Sequence, residues 1–228
     1  MDLPTHETPP DSPGQRRADA ARIRRALNAS LAAVLLVLVA FVAQQNFDWR
    51  PLAIAPLQAQ GLWGLLAAPL LHGSPGHVAA NAVSLLLLGT LAGTVYPRAT
   101  VRALPLLRLG SGLGAWLLGT PGSLHLGASG VAHGLGFLIF GLGLLRRDRA
   151  AVAAGMIAFM FYGGMLLTVL PHEPGVSWQA HLGGAVAGLV ASWLFRRSDP
   201  LPPRKRYSWE LEAEAAEAES GGKEAAGA

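Results

Sequence analysis

The chain has no cysteine among its 228 residues. That excludes a disulfide framework, a thiolate metal site and a cysteine nucleophile, and it leaves the redox compartment unmarked. Charge is scarce too, at 14% of residues, and the stretches 31–43, 78–95, 150–170 and 182–195 contain no Asp, Glu, Lys or Arg. There is no HExxH and no carboxylate beside His72, His77, His133 or His181 in sequence, so no metal site and no cofactor are expected. The G-x-S-x-G elbow of soluble hydrolases is missing, because Val131 stands where its last glycine would be. The pI near 10.1 raises nucleic-acid binding, but no basic stripe interleaved with aromatics exists, and the arginines cluster between apolar segments. No nucleic-acid partner is expected.

What is present is apolar and small: 51% hydrophobic residues and 28 glycines. Clustered apolar runs rich in small residues are the mark of packed transmembrane helices. Six segments can be drawn, at 27–43, 78–95, 101–119, 129–145, 150–170 and 178–195, some a little short of the ~20 residues that cross a bilayer upright. The first follows Arg16, Arg17, Arg22, Arg24 and Arg25. A signal peptide cut after Ala43 would need a small residue where Phe41 stands, so the segment reads as an uncleaved helix.

The arginines set the expected topology. Basic residues fill the N-terminal tail, the second–third loop (Arg98, Arg102), the fourth–fifth loop (Arg146, Arg147, Arg149) and the C-terminal flank. The alternate loops, 44–77, 120–128 and 171–177, hold only Arg50. By the positive-inside rule the expectation is an all-α, six-span membrane bundle with both termini cytoplasmic. Its parts are a disordered basic tail at 1–26, a membrane domain at 27–197 and a disordered tail at 198–228 with a low-complexity acidic run. The 44–77 loop, with Trp49 and Trp63, is too apolar for a linker and is expected to be half-embedded. Arg108 sits inside the third segment, where a charge must snorkel or find a partner.

On this topology three helices enter from the outer side, and their first turns carry the polar residues. Helix two brings His77 and Asn81 on one face, helix four opens on Gly127-Ala128-Ser129-Gly130, and helix six carries His181 one turn in. Taken singly, the serine is a helix cap and the histidines and asparagine are interhelical glue. Taken together, they are a nucleophile, a base and two spare donors at one depth, which are the parts acyl transfer needs. Gly130-x-x-x-Gly134 and Ala180-x-x-x-Gly184-x-x-x-Gly188 would let helices four and six approach closely enough to join Ser129 and His181. The outer half offers only Asp48 and Glu173 as acids, both outside the spans. That favours a dyad over a triad, with Glu173 as the minor alternative for orienting His181.

The blocks His72-Gly-Ser-Pro-Gly-His77-Val-Ala-Ala-Asn81, Gly127-Ala-Ser129-Gly130 and Ala180-His181-Leu-Gly-Gly184-x-x-x-Gly188 resemble, in order and spacing, the signature of the rhomboid intramembrane serine proteases. The resemblance implies that Ser129 attacks the scissile carbonyl and that His181 takes its proton. It implies an oxyanion site of the Ser129 N–H with the His77 and Asn81 side chains, and His72 bracing the outer loop. It also implies substrates that are transmembrane proteins, cleaved near the outer ends of their helices. The expected location is the plasma (inner) membrane of a bacterium, with the site facing outward.

Two positions depart from the pattern. His133 stands where the family more often has an aromatic beneath the catalytic histidine; sharing a face with Ser129, it is a second candidate base. The resulting Ser-Gly-x-x-His-Gly also resembles the rhombosortase branch, which processes C-terminal sorting tails. Trp63-Gly64 replaces the usual Trp-Arg, which puts the anchoring of the first loop in question. A polar cavity is expected above Ser129, roofed by 44–77 and 171–177, with Phe159, Phe161 and Tyr162 as either a side gate or plain lipid-facing packing. The rival functions are a catalytically silent rhomboid-like protein that binds membrane clients, and a small transporter.

Overall fold

The computed structural model describes residues 13–146, 153, 155–157, 167–171 and 175–200. The tails beyond these residues, most of the expected fifth segment with its aromatics, and Glu173 lie outside them. The described chain is helical. Its long helices are α1 (Pro13–Ala43), α3 (Pro75–Val95), α4 (Pro97–Leu118), α5 (Ser129–Arg146) and α6 (Trp178–Phe195), with a single short turn, α2 (Gly64–Ala67), between α1 and α3. Among the described residues the one β feature is an isolated bridge between Ile54 and His125.

The helix starts follow from local chemistry. Ser74 caps α3 by accepting from the His77 N–H at 3.1 Å, with Pro75 in the first turn, where no backbone donor is needed. Ser177 caps α6 in the same way, accepting from Ala180 N–H at 3.4 Å. Helix α1 corrects the expected tail at 1–26, since residues 13–26 are its first turns. Alanine and arginine are strong helix formers, and the apolar half of α1 supplies the nucleus that a free tail would lack. At ~1.5 Å per residue it runs about 46 Å, longer than the ~30 Å hydrocarbon layer, so its basic third projects beyond the apolar part.

Helix α6 is wedged between α4 and α5, and glycine lets it in. A Cβ at Gly184 would collide with the Gly130 carbonyl, and one at Gly188 with the Gly134 carbonyl, both on α5. On the other face, a Cβ at Gly183 would collide with Gly110 O and lie 2.9 Å from Gly114 Cα on α4. Helix α1 meets α3 through Gly89 and Gly93, which face Ser30 and Ala26. The core between α3, α4 and α5 is built on Leu88, Leu107, Leu138, Ile139 and Leu142, all fully buried. Large apolar side chains such as Leu35, Val101, Leu144 and Trp193 point outward instead, as lipid-facing residues do. Three helical stretches, Arg16–Asn46, Pro75–Val95 and Ser129–Arg146, are long and apolar enough to cross a membrane. The fold is that of a helical integral membrane protein.

The 44–74 connection folds into short helical turns rather than a linker. Its ends are pinned by Gln44, whose side chain pairs with both backbone groups of His72, accepting from the N–H at 3.0 Å. Trp116 and Arg108 of α4 reach across to it, donating to Gln58 O at 2.9 Å and Leu65 O at 3.2 Å. Arg108 is thus partnered through its Nε, and it supplies an anchor for the first loop from a different element. Gly64 is required there, since a Cβ would lie 2.5 Å from Ile54 N. The Ile54–His125 bridge, 2.9 Å in both directions, ties this loop to the 119–128 connection. The His125 ring extends the tie. Its Nε2 lies 2.9 Å from Ser123 Oγ, which itself donates to Thr120 O, and its Nδ1 lies 2.6 Å from Ser177 Oγ at the start of α6.

At the opposite end, Asp199 is buried and its carboxylate accepts from the N–H groups of Arg98 and Ala99 (2.9 and 3.0 Å), capping α4 from 100 residues away. Arg146 holds this strand of chain, donating to Asp199 O and Pro200 O at 3.0 Å each, and lies over the Tyr96 ring. Residues 198–200, expected in a disordered tail, belong to the packed domain. The reason is that the open N–H groups of a helix N-terminus need acceptors, an anion is favoured there, and α4 has no side-chain cap from its own N-cap residue.

Stability and its pH dependence each give a prediction here. Asp199→Ala should destabilise the purified protein in micelles by about 1–2 kcal/mol, and Gly184→Val by at least about 1–3 kcal/mol through overpacking, both read by equilibrium unfolding. The second concerns pH. In the outer loops, burial pushes the His72 ring down to about 4, helped by neighbouring His77 and opposed by the Leu70 carbonyl, and burial also lowers His125. Between pH ~6.5 and ~4 the unfolded chain takes up protons that the folded chain refuses, so stability should fall as pH drops through that window. His72→Asn, which keeps a donor where His72 Nδ1 meets Leu70 O, should melt like wild type at pH 7.5 and lose less stability at pH 5. An equal loss would remove His72 from the account.

Candidate active site

Ser129 is the first residue of α5, delivered by a backbone that only glycine tolerates. Gly127 has φ +111°, and a Cβ there would lie 2.7 Å from His77 Nε2 and 3.3 Å from Asn81 Nδ2. Its N–H donates to Ala68 O at 2.8 Å, fixing the approach of the chain. At Gly130, one step on, a Cβ would lie 2.7 Å from the Ala180 carbonyl, so the start of α5 lies directly on α6. That contact brings Ser129 Oγ to 2.8 Å from His181 Nε2, one turn inside α6.

The proton positions around His181 follow from its partners. Its Nδ1 lies 3.1 Å from the carbonyl of Thr168, which can only accept, so Nδ1 carries the hydrogen. The Nε2 lone pair then faces Ser129, and the hydroxyl donates to it. His133 stacks on this ring, with centroids 3.8 Å apart and planes 14° from parallel. Its Nδ1 is 2.8 Å from the Ser129 carbonyl and its Nε2 is 2.9 Å from Thr168 Oγ1. His133 does share a face with Ser129, as its spacing implies, but it meets the backbone of that residue, and the ring nitrogen at the hydroxyl belongs to His181.

His77 and Asn81 lie across the Gly127 gap. The Gly73 N–H points at His77 Nδ1 from 3.5 Å, which leaves Nε2 as the donor, on the ring edge that faces Gly127. Asn81 is buried, and its amide nitrogen has no hydrogen-bond partner among the described residues. An unpartnered buried donor is costly, and here it sits at the wall of a cavity. His72 packs edge-on against the His77 ring at 5.0 Å and, through Gln44, fixes the end of the first loop.

The cavity measures about 870 Å³ and collects Ser129, His181, His77, Asn81 and His133 along one wall. Its rim corrects the expected roof. Of the 44–77 loop only Gly73, Ser74 and His77 reach it, while Thr120, Ser123, Leu124, His125 and Leu126 take a large share beside 175–177. The 120–128 loop gives no signal of this in the sequence, because its polar residues make no periodic pattern. Thr168 was equally invisible, a lone threonine at the end of an apolar run. Among the described residues no group of three His, Asp or Glu could hold a metal ion, and none of those lining the cavity is acidic.

The sequence carries the same identity as the geometry. Residues 59–198 match the Rhomboid domain. Over 150 residues the chain is 43% identical to uncharacterized proteins of Mycobacterium tuberculosis and Mycobacterium bovis, covering 62% of this chain and 62% of each relative. It is 38% identical over 148 residues to one of Mycobacterium leprae, covering 60% of this chain and 58% of that one. The chain thus spans about three-fifths of the length of these curated relatives. The apolar helices, the three sequence blocks and the matched domain give one answer: the chain belongs to the rhomboid family.

Proposed function

We propose that this chain is an intramembrane serine endopeptidase that hydrolyses peptide bonds in or near transmembrane segments of other membrane proteins. The observation that carries the reading is the 2.8 Å contact from Ser129 Oγ to His181 Nε2, with the far nitrogen of His181 tied to a carbonyl. In the proposed reaction the Ser129 oxygen bonds to the scissile carbonyl carbon while its proton passes to His181 Nε2. The carbonyl π electrons move onto oxygen, where the Ser129 N–H, His77 Nε2–H and Asn81 Nδ2–H surround the charge. Ser129 also opens α5, so the positive end of that helix faces the same oxygen. Collapse breaks the C–N bond, and the His181 proton leaves on the amine. Water, activated by the same nitrogen, then hydrolyses the ester.

Six spans, cytoplasmic termini and a cavity facing the extracytoplasmic side of a bacterial inner membrane complete the reading. They rest on the alternation of arginine-bearing loops with loops that hold only Arg50. An outward cavity supplies the water that hydrolysis within a bilayer requires. A catalytically silent client-binding protein is the rival from another class, and it would have no use for an activated serine.

A fluorophosphonate probe separates them. Wild type in micelles should label, and Ser129→Ala and His181→Ala should not; labelling that ignores both substitutions, or wild type that cleaves a transmembrane substrate without labelling, would sink the dyad. Asn81→Ala should slow cleavage of that substrate by about 10²-fold or more while leaving KM nearly unchanged, the usual effect of removing one oxyanion donor.

A further inference from the structure

The dyad leaves one group unexplained. Thr168 lies in the 167–169 turn and touches both stacked histidines, accepting from His181 Nδ1–H through its carbonyl at 3.1 Å and meeting His133 Nε2 through its hydroxyl at 2.9 Å. His133 Nδ1 faces the Ser129 carbonyl, which can only accept, so that nitrogen carries the hydrogen. In the neutral ring Nε2 is then the acceptor, and the Thr168 hydroxyl donates to it. The contacts close a circuit: Ser129 Oγ to His181, His181 to Thr168, Thr168 to His133, and His133 back to the Ser129 carbonyl.

We propose that Thr168 is a positioning residue of the protease site, which through His133 and His181 holds both imidazoles in the Nδ1–H form and keeps His133 neutral beneath the base. The inference rests on the dyad reading and extends it. Its logic is electrostatic. When His181 takes the Ser129 proton it becomes a cation 3.8 Å from the His133 ring. A neutral ring stacks well on a cation, whereas a second imidazolium at that distance would repel it strongly. The Thr168 hydroxyl, donating to His133 Nε2, favours the neutral form by occupying the lone pair that would otherwise take a proton. The titratable groups at the cavity are His77 from α3, His125 from the 119–128 loop, His133 from α5 and His181 from α6, and no charged side chain lines it among the described residues. With no acidic side chain lining the cavity among the described residues, the role of a third residue falls to a backbone carbonyl and a hydroxyl of the same threonine.

The test measures fluorophosphonate inactivation of the full chain in micelles from pH 5 to 9. Thr168→Val, which keeps the shape and the carbonyl but removes the hydroxyl, should slow inactivation about three- to tenfold, the worth of one hydrogen bond. Probe affinity should stay the same, and the acid limb should move to higher pH. Thr168→Ser should restore both rate and limb. In a His133→Phe background, Thr168→Val should add nothing, because the hydroxyl has lost its partner. Ring nitrogen NMR of the wild type gives a readout that needs no variant to fold: both His133 and His181 should be neutral Nδ1–H tautomers at pH 7.5. Wild-type rates and limb in Thr168→Val, a full effect surviving in the His133→Phe background, or an Nε2–H tautomer at either ring overturns the proposal and leaves the dyad standing. A wild type that cleaves without labelling, or labelling that survives Ser129→Ala, overturns both.

Discussion

The structure turns on backbone contact between α6 and its two neighbours. Helices bearing ordinary side chains pack with axes ~8–10 Å apart. Gly130 against Gly184, and Gly183 against Gly110 and Gly114, bring the backbones together on both faces of α6. Every other feature of the site is a consequence of that approach. Ser129 can be short because α6 is close, and His181 can be buried because the gap beside it is filled by another ring rather than by lipid.

A second constraint is that no acidic side chain lines the cavity among the described residues. A carboxylate buried beside the histidines would need desolvation that the membrane interior makes costly. Neutral partners avoid that cost. Carbonyls of Thr168 and Ser129 and a hydroxyl accept or donate without adding charge, and they still specify which nitrogen carries each hydrogen. Asn81 shows the complementary case, a buried amide donor with no hydrogen-bond partner among the described residues.

How much of this could be read from the amino acids depended on whether the signal was local. Helix positions were legible because charge-free runs are bounded by arginine, proline and serine: the expected segments at 129–145 and 178–195 correspond to Ser129–Arg146 and Trp178–Phe195. The blocks around Ser129 and His181 were legible because the spacing of small and polar residues on a helix is itself geometry. The helix at 13–26 was missed because basic residues suggested a solvated tail, though alanine and arginine extend a helix well once it is nucleated. Asp199, His125 and Thr168 were missed for a common reason. Each acts on a partner that is distant in sequence or that belongs to the backbone, and backbone groups leave no trace in a list of residue types. Arg108 was flagged as a problem, and its solution, the Leu65 carbonyl, was of the same hidden kind.

The clasp formed by Asp199 also orders events in time. During synthesis α4 emerges and inserts with its first N–H groups open, and the carboxylate that closes them follows 100 residues later. Arg146 likewise waits for the carbonyls of Asp199 and Pro200. The end of the bundle at the first turn of α4 therefore stays unlatched until translation has passed residue 200. A chain cut short before that point would keep its apolar helices and lack the latch. The first N–H groups of α4 would then lack the carboxylate that closes them.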